Sequence, residues 1–409
     1  MNVQENPLRV VMAAASSLLA AGLFGCSGAT TVTAPTLAVA DTNNNRVLLY
    51  SEPIDQIDGA AVVLGQTDSE HGQANRGTEK PDANTMNLPV SVVKDEKGKL
   101  YVADSGNARI LVFQPPFTSG MKASVVIGQS GFTSADPNVG SGGASATGMG
   151  SPYAVTLDSS GDLWVSDVSN SRVLEYTSPF SNGMAATLEI GQSSLDDYSS
   201  CEPTSVPTAR KLCSPEGLSF DKEGNLWVAD SDNNRVLEFK PPFATGMSAS
   251  VEIGQPAESA FTSNSSTGPS ASSFFAPVSV AFDPNGHLWV TDFGFNRLLE
   301  YAPPFTNGMA ASSVVGQVDF DHGGKNQGSK SPADNSLSGP WGLAFGSNGT
   351  LGVTERDNNR ILFFASPLTQ GAKATAVIGQ PNFTTASRNR GSSKPGGNTL
   401  EAPFGMTAF

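Results

Sequence analysis

The residues able to do chemistry in this chain are few, and their spacing says more than their number. Asp or Glu stands five residues before Arg six times: Asp41/Arg46, Asp104/Arg109, Asp167/Arg172, Asp230/Arg235, Asp292/Arg297 and Glu355/Arg360. A carboxylate facing the five donors of a guanidinium across a tight turn serves a repeated structural need. A ring of such charges at a channel mouth is the functional alternative. Only three histidines exist, His71, His287 and His322, and none falls at a corresponding position of another repeat. This argues against a zinc held by several histidines and against His-based catalysis, so no metal is expected. Asp230, Asp232 and Asn233 carry oxygens of the kind calcium takes, but without the Gly and distal Glu of a known calcium loop. There is no G-x-S-x-G elbow and no phosphate-binding G-x-x-x-x-G-K-[ST].

The acid–Arg pairs belong to a longer repeat. Their arginines are spaced 63, 63, 63, 62 and 63 residues apart. Gly-Gln dipeptides ending at Gln66, Gln129, Gln192, Gln255, Gln317 and Gln380 keep the same step. So do the strand-opening prolines, Pro89, Pro152, Pro215, Pro277, Pro340 and Pro403. A fixed period of this size marks a solenoid or a propeller. Within one unit the pattern predicts four short strands, at Val90–Lys94, Leu100–Ala103, Arg109–Phe113 and Ser124–Ile127, separated by turns. No unit holds a helical period, and charged residues, the usual helix surface, make up only 15% of the chain. The expected fold is all-β: a six-bladed propeller of four-stranded antiparallel blades over residues 36–409. The first unit lacks its Pro-led strand and the last residues, 401–409, supply one. The C-terminal strand is therefore expected to pair into the N-terminal blade and close the ring.

The Leu-Trp-Val-Ala-Asp-x5-Arg unit resembles the NHL repeat, and six in tandem resemble NHL β-propellers. The resemblance implies a propeller but no activity, since one fold hosts many functions. Amidating lyases that share this fold hold zinc with several histidines, which have no counterparts here.

Upstream of the repeats, Val10–Gly25 is uncharged and mostly apolar, too short for the roughly 20 residues of a membrane span. It ends in Leu23-Phe24-Gly25-Cys26, similar to a bacterial lipoprotein signal. Residues 1–25 are thus expected to be a signal peptide, Cys26 to carry lipid, and residues 26–35 to be a linker. Lipid would be the only membrane attachment. Cys201 and Cys213 remain, twelve residues apart in one polar segment. In an oxidising envelope they read as a disulfide worth about 2–3 kcal/mol in the entropic model. A net charge of −14 with 24 Lys+Arg excludes nucleic acid as an expected partner.

Six polar segments, 67–86, 130–149, 193–212, 256–274, 318–337 and 381–400, join one blade to the next and should crowd one rim with the acid–Arg turns. Loops of this length usually serve a function. Three share an Asn-x-Gly pattern, at Asn75, Asn326 and Asn389. After each strand-opening Pro the residue varies: Val90, Tyr153, Glu216, Val278, Trp341, Phe404. The next is always small: Ser91, Ala154, Gly217, Ser279, Gly342, Gly405. Tyr153, Glu216, Trp341 and Phe404 either floor a shallow pocket for a sugar or peptide, or fill gaps between blades. The reading is an exported, lipid-anchored, monomeric cell-envelope module, periplasmic or on the outer surface. It would bind an envelope protein, peptide or glycan without catalysis and without a cofactor. The alternative is a lyase or hydrolase at the same mouth, with calcium as its candidate cation.

Overall fold

Why the repeat folds as it does is visible within one unit. In the computed structural model, which describes residues 30–51, 59–140, 142–197, 201, 206–262 and 268–408, each unit is a four-stranded antiparallel sheet. Blade 2 consists of Pro89–Lys94, Leu100–Asp104, Arg109–Phe113 and Val125–Ile127. The Pro opens the inner strand, where no ladder bond needs its nitrogen. A register shift separates Pro89 from Ser91 opposite the second strand. Between the second and third strands a three-residue 3₁₀ turn ends at Ala108, whose φ of 50° is left-handed. Corresponding left-handed positions are Asn45, Ser171, Asn234, Asn296 and Asn359. Asn tolerates that conformation better than most residues.

Blade 1 is built from both ends of the propeller. Pro403–Met406 pairs with Leu37–Asp41, next to Arg46–Tyr50 and Val62–Leu64. Ala38 N–H donates to Thr407 Oγ1 at 3.0 Å, and Glu401 N–H donates to Asp41 Oδ1 at 2.7 Å. Apolar side chains of blades 6 and 1, including Phe363, Ile378, Leu37, Leu48 and Met406, form one buried cluster. The expected closure is present. Within the stretch read as a linker, Thr31–Val32 pairs with Phe117–Thr118 and Val32 is buried, so its end is docked on blade 2. The expected signal peptide and Cys26 lie outside the described residues. Among the described residues no helix is long and apolar enough to cross a membrane.

All six acid–Arg pairs, Asp41/Arg46, Asp104/Arg109, Asp167/Arg172, Asp230/Arg235, Asp292/Arg297 and Glu355/Arg360, are fully buried. This corrects the alternative of an exposed ring of charges at the mouth. Each pair also does more than brace its own turn. Arg109 Nε donates to Asp104 Oδ2 at 2.7 Å. Its Nη1 donates to Phe132 O in the segment leaving blade 2, and its Nη2 to Asp82 O and Thr85 O in the segment arriving from blade 1. The other carboxylate oxygen, Asp104 Oδ1, accepts the Asn87 N–H. One ion pair therefore ties two inter-blade segments to one turn. Arg46, Arg297 and Arg360 repeat the pattern through Ser69, Gly396 and Thr399; Phe320, Ser270 and Ser273; Phe383, Ala333 and Ser336.

Arg172 follows it too, with a longer reach to its acid. Its Nε donates to Asp167 Oδ2 at 3.1 Å, its Nη1 to Leu195 O at 2.7 Å, and its Nη2 to Ser145 O and Gly148 O at 3.0 and 2.9 Å. Glu189 Oε2 stands 3.5 Å from the same Nη1, so Arg172 faces a second buried acid that the i, i+5 spacing did not announce. In blade 4, Glu252 Oε1 takes the place of the outgoing carbonyl on Arg235 Nη1 at 2.9 Å.

The long segments are consequently not free loops. Asn75 and Asn107 exchange side-chain amide hydrogen bonds at 3.1 and 2.9 Å, with Asn75 at φ 49°. Asn326/Asn358 and Asn389/Asn44 do the same. So do Asn138/Asn170, a fourth Asn-x-Gly site that the sequence reading passed over. Cys201 and Cys213 form the expected disulfide, with Cα atoms 5.1 Å apart.

Three outcomes are expected. Removing residues 401–409 opens the ring and should lower the melting temperature by about 10 °C or more, read by circular dichroism. Replacing Arg109 by Ala strands a buried carboxylate and three carbonyls, and should cost about 3–5 kcal/mol in a denaturant titration. Removing Lys325, whose pair with Asp357 is exposed on the lysine side, should cost under about 1 kcal/mol.

Candidate functional site

The inner strands bring the variable residues to the axis because the residues behind them are small. A methyl group at Gly217 would lie 2.5 Å from Ser279 Cα, and one at Gly405 would lie 2.8 Å from Ser91 Cα. Neighbouring inner strands thus touch through backbone, and the larger side chains one position earlier meet across the axis.

Three of the four candidate residues do meet. Trp341 and Phe404 stack with ring centroids 4.4 Å apart and planes 22° apart. Tyr153, from the blade opposite Trp341, lies 6.0 Å from Trp341 and 6.3 Å from Phe404. Trp341 is buried, while Tyr153 and Phe404 keep partial exposure. The rings form a layer that closes the axis at the end bearing the acid–Arg turns. Below it an axial cavity of about 290 Å³ runs from Tyr153 and Trp341 to Thr407 and Ala408.

Glu216 stands at the same level without a ring partner. Its backbone oxygen accepts Ser166 Oγ–H at 2.7 Å, but its Oε2 is buried with no hydrogen bond. Burial, with the nearby charge of Asp232, pushes its carboxyl up to about 8 against the opposing pull of Arg356. At neutral pH the group is a protonated donor. Burial also raises Tyr153 well above the usual phenol value, and the Glu216 charge adds to the shift.

Two residues of the mouth were missed by the sequence reading. Phe293 packs edge-on against Trp341 with centroids 4.9 Å apart. The Arg356 guanidinium lies 4.5 Å from the Phe293 centroid and 5.1 Å from that of Trp341, and its Nε donates to Asp357 Oδ1 at 2.9 Å. Such stacking is worth about 0.5–1 kcal/mol at exposed sites. A signal was available. The residue after the turn acid is Thr42, Ser105, Val168 and Ser231 in four blades but Phe293 and Arg356 in the last two. The departure from small residues marks where side chains enter the mouth.

The mouth therefore offers an aromatic layer, one cation paired on one side, and one neutral carboxyl. Neither His nor Cys stands among these residues. Elsewhere among the described residues, Asp283, His287 and Glu300 cluster on blade 5, and Asp158, Asp162 and Glu175 hold the same three positions on blade 3. Asp232, one of the residues weighed for calcium, accepts Ser214 Oγ–H, whereas Asp230 is committed to Arg235.

Comparison with known proteins bears on the architecture. The sequence model of the NHL repeat matches residues 212–239 and 337–364, in blades 4 and 6. Over 113 residues the chain is 26% identical to a probable peptidyl-alpha-hydroxyglycine alpha-amidating lyase of Caenorhabditis elegans. That match covers 25% of this chain and spans only 32% of the relative's length. A protein of unknown function from Bacteroides caccae superposes with TM-score 0.51 at 11% identity, over 91% of this chain and 98% of that one. The periplasmic gluconolactonase of Pseudomonas aeruginosa does so with TM-score 0.50 at 14% identity, over 90% and 97%. Identities this low speak to fold alone. Repeat, register and comparisons agree that this chain is a six-bladed β-propeller carrying NHL repeats.

Proposed function

We propose that this propeller is an exported, lipid-anchored cell-envelope module that binds a peptide or glycan at its turn-bearing mouth. The observation that carries the reading is the aromatic layer of Tyr153, Trp341 and Phe404, bordered by Arg356 and a protonated Glu216. Aromatic faces suit the apolar side of a sugar ring or a peptide side chain. Arg356 and a neutral Glu216 are both able to donate hydrogen bonds, so the complementary ligand presents oxygen acceptors beside its apolar face. A scaffold tied by buried ion pairs presents these groups with little ordering cost. The Cys201–Cys213 disulfide supports an oxidising compartment, and the sequence around Cys26 supports the lipid anchor.

A second reading, a lyase or hydrolase at the same mouth, draws support from Glu216 itself. A carboxyl titrating near 8 beside a tyrosine is poised as a general acid. The binding reading is preferred because, among the described residues of the mouth, neither His nor Cys stands with Glu216, and the nearby acid Asp232 is engaged by Ser214.

Screening the purified propeller against oligosaccharide and peptide arrays tests the reading. A combined Tyr153→Ala, Glu216→Gln, Trp341→Ala variant should lose at least about tenfold in affinity for any ligand found. Full retention would remove the mouth from consideration, and turnover of a bound compound that Glu216→Gln abolishes would favour the enzyme.

Glu216 also makes stability depend on pH. An unfolded Glu titrates near about 4.3, so folding takes up a proton between that pH and about 8. Its contribution is complete below the unfolded value and is lost as pH rises through the folded one. The melting temperature of the wild type should fall relative to Glu216→Gln between pH 5 and pH 8, and parallel curves would refute the assignment.

A further inference from the structure

We propose a divalent transition-metal site on the outer side of blade 5, formed by Asp283, His287 and Glu300. It lies at the end of the blade away from the mouth and is independent of the function proposed there. It departs from the expectation, drawn from the number and scatter of the histidines, that no metal is held.

The ligand atoms are already gathered. His287 Nδ1 lies 2.7 Å from Glu300 Oε1 and 3.7 Å from Asp283 Oδ2. Ligands about 2.0–2.2 Å from a tetrahedral zinc stand about 3.4 Å from one another, so these two separations bracket what a bound ion requires. The turn holds the acid in place: Asp283 Oδ1 accepts the N–H groups of Asn285 and His287 at 2.8 and 2.9 Å. That leaves Oδ2 for a ligand. Asp283 and Glu300 side chains keep only 11% and 15% exposure, and His287 keeps 33%.

A second observation is independent of the cluster. Trp289 is 1% exposed, and its indole N–H has no hydrogen-bond partner. It lines, with Asp283, His287 and Glu300, a cavity of about 380 Å³ bounded across from blade 5 by Phe345, Asn348 and Pro367 of blade 6. The other blades show that the unpaired donor is peculiar to this one. Trp164 Nε1 donates to Asp158 Oδ2 at 3.2 Å, and Trp227 Nε1 to Asp221 Oδ2 at 3.0 Å. Asp158 and Asp221 are the counterparts of Asp283 in blades 3 and 4. In blade 5 alone is the middle position a His. Blade 3 has Asp162 there and blade 4 has Asn225, which donates to Asp221 Oδ2 at 2.8 Å.

A cation held by Asp283, His287 and Glu300 resolves both features. It takes the free Asp283 oxygen, and a water in its open position accepts the Trp289 N–H. One imidazole with two carboxylates selects zinc or a neighbouring first-row divalent ion over calcium, which favours an all-oxygen shell.

The test is a calorimetric titration of the metal-stripped full chain with zinc chloride, with tryptophan emission followed in parallel. One site is expected, with affinity at least about tenfold weaker in His287→Asn and in Glu300→Gln. Asn is the residue that blade 4 carries at this position, so His287→Asn should fold, and its melting curve checks that. Trp289→Phe should weaken binding while keeping one ion per chain. A His71→Ala, His322→Ala double variant should bind as the wild type does. Equal titrations of wild type and His287→Asn would overturn the proposal. So would loss of the site in the His71/His322 variant, or displacement of zinc by equimolar calcium.

Discussion

The structure depends on a buried ion pair whose cation has more donors than its own acid can use. A guanidinium on a hairpin reaches its Asp with Nε and has two nitrogens left over. Those nitrogens find backbone carbonyls of the segment entering the blade and of the segment leaving it. The carboxylate, with one oxygen on the Arg, spends its other on a backbone N–H just ahead of the inner strand. Lys could not replace Arg here, because three donors on one atom do not span two segments. Burial makes the arrangement costly to break, since each lost partner strands a group without water. Burial also pushes Asp41, Asp104, Asp230, Asp292 and Glu355 upward, Asp292 to about 6, while their Arg partners pull them down.

This clasp accounts for the length of the inter-blade segments without assigning them to a ligand. Their carbonyls are acceptors for Arg, and in four of them an Asn side chain pairs with the Asn of the next hairpin. Blades 3 and 4 vary the scheme, placing Glu189 beside Arg172 and Glu252 beside Arg235. Glu252 is well served, since it also accepts the Phe261 N–H. Glu189 is not: its carboxyl stands too far from Arg172 for a good hydrogen bond, and it titrates at about 7, pushed up mainly by burial. With the rim held by structure, chemical variety is left to the few positions that point at the axis and at the outer cavities.

Ring closure and the mouth follow from the same economy. Small residues along the inner strands let six backbones approach, and the variable residues before them are driven together over the axis. Three happen to be aromatic and pack as one layer, and one is a carboxyl that pairs with none of them. Phe293 and Arg356 enter from the hairpin tips and frame the layer.

Much of this was legible in the chain. A period near 63 carried by three markers requires six like units, and a Pro-led strand at the far end, missing at the near end, requires closure. Both are statements about order along the chain, and local pattern suffices for them. The small residues around the axis were legible for the same reason. The destination of the Arg donors was not, because carbonyls carry no residue signature and any sequence supplies them. Nor was the cluster of Asp283, His287 and Glu300. A His in a turn and a Glu on a strand thirteen residues later become neighbours only when the sheet sets Glu300 opposite Trp289. Residue type and spacing thus determined the number, hand-off and closure of the blades. Which polar groups face one another was decided by register and burial, since only folding brings together atoms that the chain keeps apart.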